Sequence, residues 1–151
     1  MMPKPVQSRI PIWIGGKVEP IFQRVADLGD GWLASSSTSA EDFSRGWEKI
    51  NNLVQKAGRD LNTLTPAKFC YIHIDDTTEN ALATLNDRLP KYYGMPYDAA
   101  RFSLYGPPAR CIEGALKLLE AGIQTLIFAT VTHDRTQLER LGREVLPKLN
   151  L

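Results

Sequence analysis

Four times along this chain a short apolar run is followed by an amphipathic stripe with helical spacing, and that alternation restricts the fold more than any other feature. The first run, Ile10 to Gly16 (IPIWIGG), ends on two glycines and reads as a buried strand. Pro20 stands where a first helical turn tolerates it; Ile21, Val25 and Leu28 repeat at helical spacing, and Gly29 stops the helix. Gly31 to Ser36 (GWLASS) is the second strand. Ser39 and Asp42 resemble a capping box ahead of a stripe of Phe43, Trp47, Ile50 and Val54 that ends at Gly58. Lys68 to Asp75 (KFCYIHID) is the third strand: Cys70, Ile72 and Ile74 form its apolar face. Phe69, Tyr71, His73 and Asp75 form the other face, which turns polar towards its C-terminal end. Asp76 with Glu79 reads as the cap of a helix through Ala81, Leu82, Leu85 and Leu89. Residues 90–106 show no period and read as one long connection. Pro107 and Pro108 open a helix through Ile112, Ala115, Leu116 and Leu119, closed by Gly122. Gln124 to Thr130 (QTLIFAT) is the fourth strand. Asp134 with Gln137 reads as the cap of a last helix with the stripe Leu138, Leu141, Val145 and Leu149.

Strands that alternate with helices imply a parallel sheet with right-handed crossovers. The 151 residues are read as one domain, residues 1–151. Two arrangements satisfy the pattern. A doubly wound sheet carries helices on both faces and switches its strand order. A barrel segment keeps its strands in sequential order with helices outside. A doubly wound regulator domain would use Asp75 as phosphoacceptor, but the companion acidic pair near the first strand is missing. With 18 basic and 17 acidic residues and no basic stripe, nucleic acid is not an expected partner. No apolar stretch approaches about 18 residues, so no membrane span is expected. Met1 to Pro5 lacks an apolar signal core, and Cys70 and Cys111 lie in apolar segments as buried free thiols; both features suit a reducing cytoplasm. Neither the cysteines nor His73 and His133 have metal-ligand spacing, so no metal is expected.

Several residues stand where chemistry belongs. Gly15, Gly16, Lys17 and Val18 join a strand end to a helix start, where free amides and the helix dipole suit a phosphate. The competing reading is a tight β/α turn. Ser35, Ser36 and Ser37 follow the second strand and offer hydroxyls to a substrate; the plainer reading is a polar loop leading to the Ser39 cap. His73 is the one candidate acid or base, an inward histidine near a strand's C-terminal end, against a buried histidine satisfied by Asp75 or backbone. His133 reads as a loop histidine beside a cap. Trp13, Trp32 and Trp47 read as core, and Cys70, on the apolar face, is not a nucleophile. Tyr92, Tyr93 and Tyr97 form a lid or a surface that meets a partner.

The segments PKPVQ…IPIWIGG, ADLGDGWLASSS, KAGRD and EAGIQTLIF with LERLGREVLPKL resemble, in the right order, the luciferase-like monooxygenase family of flavin- and deazaflavin-dependent (β/α)8 barrels. The resemblance is to the C-terminal half. It implies half of such a barrel: four parallel strands in sequential order with outer helices, and one extra helix before the last strand. It implies FMN or the deazaflavin coenzyme F420 as cofactor, with the Gly15–Val18 turn at the cofactor phosphate, and an oxidoreductase or monooxygenase activity. The alternative is a catalytically silent half-barrel remnant that forms a homo-oligomer and at most binds a phosphate-bearing ligand. No catalytic residue of the family's first half has a matching position here.

A complete barrel packs about twelve interior side chains, so half contributes about six. At roughly 2 kcal/mol each, leaving them in water forfeits on the order of 12 kcal/mol, as much as the stability of a whole domain, about 5–15 kcal/mol. The expected partner is therefore a second copy, in a homodimer or higher homo-oligomer, or the N-terminal half as a separate chain.

Overall fold

A computed structural model describes residues 6, 7 and 9–149; the Met1–Pro5 segment and the start of the PKPVQ stretch lie outside the described residues. Five parallel strands form one sheet: β1 (Trp13–Gly15), β2 (Gly31–Ala34), β3 (Thr65–Ile74), β4 (Leu104–Gly106) and β5 (Thr125–Thr130). The helices are α1 (Glu19–Leu28), α2 (Ala40–Lys56), α3 (Thr78–Tyr93), α4 (Ala99–Phe102), α5 (Pro108–Glu120) and α6 (Arg135–Arg140). Two short turns of other pitch, Leu141–Val145 and Leu146–Lys148, prolong α6.

β3 is the centre of the sheet. It pairs with β2 through residues 65–68, with β5 through residues 67–72 and with β4 through residues 72–74. Ile72 is bridged to both Leu104 and Thr130, so β4 and β5 lie on opposite edges of β3. β4 therefore continues the edge that β2 begins. The strands follow β1-β2-β3 and then branch, with the three-residue β4 on one edge of β3 and the longer β5 on the other; both branches keep the sequential order of a barrel segment and not the switched order of a doubly wound sheet.

The even-numbered residues of β2, β3 and β4 face the main core. Trp32, Cys70, Ile72, Ile74 and Leu104 pack there against α1, α2, α5 and the chain beyond α6. Trp32 anchors it: its ring stacks on Phe43 at 4.8 Å and meets Phe22 edge-on at 5.4 Å. A Cβ on Gly46 would lie 2.6 Å from Trp32 Cη2, so only glycine lets α2 approach. Both cysteines are buried and free.

The odd-numbered face carries a second, smaller core. Ala81, Leu85 and Leu89 of α3 and Ala99 of α4 pack there on Tyr71 and Tyr105. The extra helix before the last strand is therefore α3, and it folds back over the C-terminal half of the inner face. The rest of that face stays open: Trp13 is 38% and Ile127 37% exposed, with Leu33 and Phe69 half-buried. Trp13 is thus not core; its indole lies across Gly31, where a Cβ would come within 2.8 Å of Cδ1.

Local expectations shift in places. The buried face of α1 is Phe22, Val25 and Ala26, one step round from the expected stripe, because the Phe22 ring meets Trp32; Leu28 is exposed. The cap of α3 is Thr77, whose Oγ1 accepts from the Asn80 amide at 3.3 Å, not Asp76 with Glu79. Residues 90–106 hold the end of α3, all of α4 and β4. Asp134 does cap α6, accepting from the Thr136 amide at 2.9 Å. Gln137 instead turns inward, taking the Ile74 amide at 2.9 Å and giving to the Ile74 carbonyl at 2.8 Å. Leu138 is exposed. No helix among the described residues is long and apolar enough to cross a membrane.

Candidate functional site

The C-terminal ends of β1, β2 and β3 bring two of the expected residue groups together. Gly16 has φ 130°, a backbone region that favours glycine, and its carbonyl accepts from Trp32 Nε1 at 2.7 Å. The Gly16 amide donates to the Leu33 carbonyl at 3.3 Å, which ties this turn to β2. Val18 caps α1 in an extended conformation and offers no side-chain bond to the helix start. Among the described residues, the amides of Lys17, Val18 and Glu19 meet no acceptor. Lys17 crosses to the next loop: its Nζ donates to Ser37 Oγ at 2.9 Å and to the Ser37 carbonyl at 3.3 Å. Ser35 Oγ lies 3.4 Å from Ser37 Oγ and 3.1 Å from Thr38 Oγ1. The glycine turn and the serine loop thus form one polar cluster. The Ser39 cap is present as well, its Oγ accepting from the Asp42 amide at 3.1 Å.

Beside that cluster, between α1 and α2, is a cleft of about 350 Å³ lined by Lys17, Thr38, Asp42, Arg45 and Lys49 over the edge of Trp32. Arg45 pairs with Asp42, and Lys49 with Glu19. Lys17 has no carboxylate partner among the described residues, so it is the cation available to an anion there.

Ser36 points the other way. Its Oγ lies 3.2 Å from Tyr93 OH, which lies 2.9 Å from Tyr71 OH. The Tyr93 ring stacks on Tyr97 at 5.4 Å, and Tyr97 meets Tyr71 edge-on at 5.9 Å. Tyr93 of α3 and Tyr97 of the following loop thus close over β3, while Tyr92 is exposed. Burial, then the bond to Tyr93, raises the Tyr71 phenol above its ordinary range and keeps it protonated.

Lys68 is a site residue beyond those expected from the sequence. It is 1% exposed, and its ammonium donates to the carbonyls of Ser35 and Ser36, each at 3.0 Å, and of Phe69 at 3.3 Å. Desolvation lowers its pKa from 10.5 to about 8. It holds the serine loop from below. A lysine in register with Cys70, Ile72 and Ile74 was the visible signal.

His73 is buried, and its Nδ1 has no hydrogen-bond partner. Burial lowers its pKa, so the ring is neutral near pH 7; Asp75 and Asp134 oppose that shift, and Arg140 assists it. No hydrogen bond joins it to the serine–tyrosine chain. A second cleft of about 550 Å³ opens on the inner face between α3 and β5, lined by Phe69, Tyr71, Leu89, Tyr92, Val131 and His133, with Arg88 and Lys91 at its rim. Burial raises the Cys70 thiol to about 11, which removes it as a nucleophile. Among the described residues no three His, Cys, Asp or Glu side chains converge as a metal site.

Parallel β/α units in sequential order, with polar loops and an aromatic wall gathered at the strand C-termini, are the pattern of a (β/α) barrel segment. A profile of the luciferase-like monooxygenases matches residues 1–140, and the chain belongs to that family. It is 24% identical to a 5,10-methylenetetrahydromethanopterin reductase of Archaeoglobus fulgidus, over 93% of this chain and 54% of that protein. In fold it is similar to the coenzyme F420-dependent tetrahydromethanopterin reductase of Methanopyrus kandleri, with a TM-score of 0.75 and 19% identity over 93% of this chain and 51% of that one. It is also similar to an F420-dependent secondary alcohol dehydrogenase solved with an F420-acetone adduct, with a TM-score of 0.82 and 15% identity over 98% and 51%. A long-chain alkane monooxygenase gives a TM-score of 0.71 at 15% identity, over 91% and 40%. The chain spans about half the length of these relatives.

The family implies a flavin or deazaflavin. The donor set fits the phosphate end of such a ligand: one uncompensated ammonium, three amides without acceptors at a helix start, and the hydroxyls of Ser35, Ser37 and Thr38.

Proposed function

We propose that this chain is the phosphate-binding half of a luciferase-like oxidoreductase that takes FMN or coenzyme F420. The observation that carries the reading is the Lys17–Ser37 bond, which joins two β/α loops beside the open amides of the α1 start. Lys17 and those amides would hold the phosphate, with Ser35, Ser37 and Thr38 completing its shell. Lys68 would fix the loop that presents those hydroxyls, and the Ser36–Tyr93–Tyr71 chain would orient the tyrosine wall beside it. The chemistry supplied by a bound group of this class is hydride exchange for a deazaflavin and oxygen activation for a reduced flavin. Phe69, Leu89 and Val131 would keep water from the inner-face cleft. His73 lies on the same strand as Phe69 and Tyr71 but does not line that cleft; it is buried and neutral at pH 7, with an unpartnered Nδ1 able to take up a proton.

Titration with FMN, with F420 and with riboflavin, followed by ligand fluorescence, tests the reading. FMN or F420 binds at micromolar concentration, and riboflavin, which lacks the phosphate, binds more weakly. Lys17→Met removes a charge-assisted bond and weakens the phosphate-bearing ligand by about tenfold or more. If neither phosphate ligand binds at hundreds of micromolar, the reading is wrong. A second reading, a silent unit that binds the ligand without turnover, is favoured by the isolation of His73 from the polar cluster. Binding without any reduction or oxidation of substrate would select it.

A further inference from the structure

We infer that the open part of the inner face is the docking surface for a second copy of this chain, with β1 of each copy beside β5 of the other. Among the described residues β1 pairs only with β2, and β5 only with β3, so each edge presents unpaired backbone groups. β1 is short, three residues, but neither edge is protected by side-chain chemistry. β1 reads WIG and β5 reads TLIFAT, with no proline and no charged residue in either. The inner face between them is uncharged over Leu33, Ala67 and Phe69, and each edge strand carries one half-exposed apolar side chain, Trp13 on β1 and Ile127 on β5.

Direction decides the geometry. All strands are parallel, so a twofold axis along the strands sets a neighbouring copy's β5 beside β1 without reversing it. The same operation sets that copy's β1 beside β5. The two contacts are identical, Trp13 against Ile127 in each, which is the self-complementary arrangement of a closed dimer. Four sequential strands from each copy make eight, the number at which a parallel barrel closes around a side-chain core. α3 covers the C-terminal half of the inner face and leaves the part between β1 and β5 open. The match to one solved chain covers 98% of this chain and only 51% of that one, with a TM-score of 0.82. The unit as folded here is therefore compatible with a further half of equal size. A second copy would also wall the open side of the cleft between α3 and β5. That consequence rests on the proposed function; the docking itself does not.

Size-exclusion chromatography with light scattering, from low to hundreds of micromolar, reads the result. The chain is expected at twice its monomer mass. Ile127→Lys places a charge on the inner face at a position already partly in water, so circular dichroism should stay unchanged while the mass falls to one chain. Leu116→Lys, an equally exposed apolar position on the outer helix α5, should remain a dimer. A wild-type chain at monomer mass throughout, or an Ile127→Lys variant that stays as dimeric as Leu116→Lys, overturns the inference. Ligand titration is a separate readout, so a dimer that binds no phosphate would refute the functional proposal and leave this one standing.

Discussion

Lys68 is the residue on which the serine loop depends, and its charge has no opposing carboxylate among the described residues. The titratable groups that face it are the Cys70 thiol and the Lys17 ammonium; its donors go to three backbone carbonyls. Burial lowers its pKa to about 8. The unfolded chain holds that proton up to the ordinary value of 10.5, so between these pH values the unfolded state binds more protons. Lys68 therefore adds stability as pH rises from about 8 to 10.5. The unfolding free energy of the wild type relative to Lys68→Met should climb by roughly 3 kcal/mol across that window, measured by urea unfolding at each pH. A flat difference would mean the ammonium is solvated. The alternation in KFCYIHID already places this lysine on the apolar face. Its partners were not legible, because carbonyls that converge from another strand leave no mark on local spacing. The same holds for Ser36 and Tyr93, which are 57 positions apart and meet only because α3 folds back over β3.

Elements whose pattern is dictated by one core were read nearly as they stand. α2 runs from the Ser39 cap with Phe43, Ile50 and Val54 buried, as its stripe requires, and β3 sends Cys70, Ile72 and Ile74 to the main core as expected, although its other face is largely buried too. Errors occur where one element serves two surfaces. α4 and β4 are too short for a period to show, and β4 exists because the C-terminal end of β3 extends past β2 and leaves an edge to pair. Gln137 stands at a position a cap would take, yet its amide group satisfies both backbone groups of Ile74, where that strand end would otherwise be unpaired. Gln137→Ala leaves a buried N–H and a buried C=O without partners. It should cost about 2–4 kcal/mol in denaturant unfolding. A loss within measurement error would show that water takes over both bonds.

The architecture of the whole molecule was legible as parallel units in sequence, but the fate of its inner face was not. Half a barrel alone would leave about six interior side chains in water; α3 covers part of that face through Leu85 and Leu89, and Trp13, Leu33, Phe69 and Ile127 remain partly exposed. At roughly 1 kcal/mol for each half-covered side chain, about 4 kcal/mol is at stake. That is less than the stability of an ordinary domain, so the fold does not need a partner merely to exist, and association becomes an added, concentration-dependent term. For a folded dimer that unfolds to two chains, each tenfold rise in concentration adds about 1.4 kcal/mol per dimer. Spread over two chains of this size, the melting midpoint should rise by roughly 2 °C per tenfold. Differential scanning calorimetry over a hundredfold range would resolve that slope, and Ile127→Lys should abolish it while still giving a cooperative transition. A wild-type midpoint that stays fixed over the same range would place the whole stability in one chain, with α3 sufficient cover for the sheet.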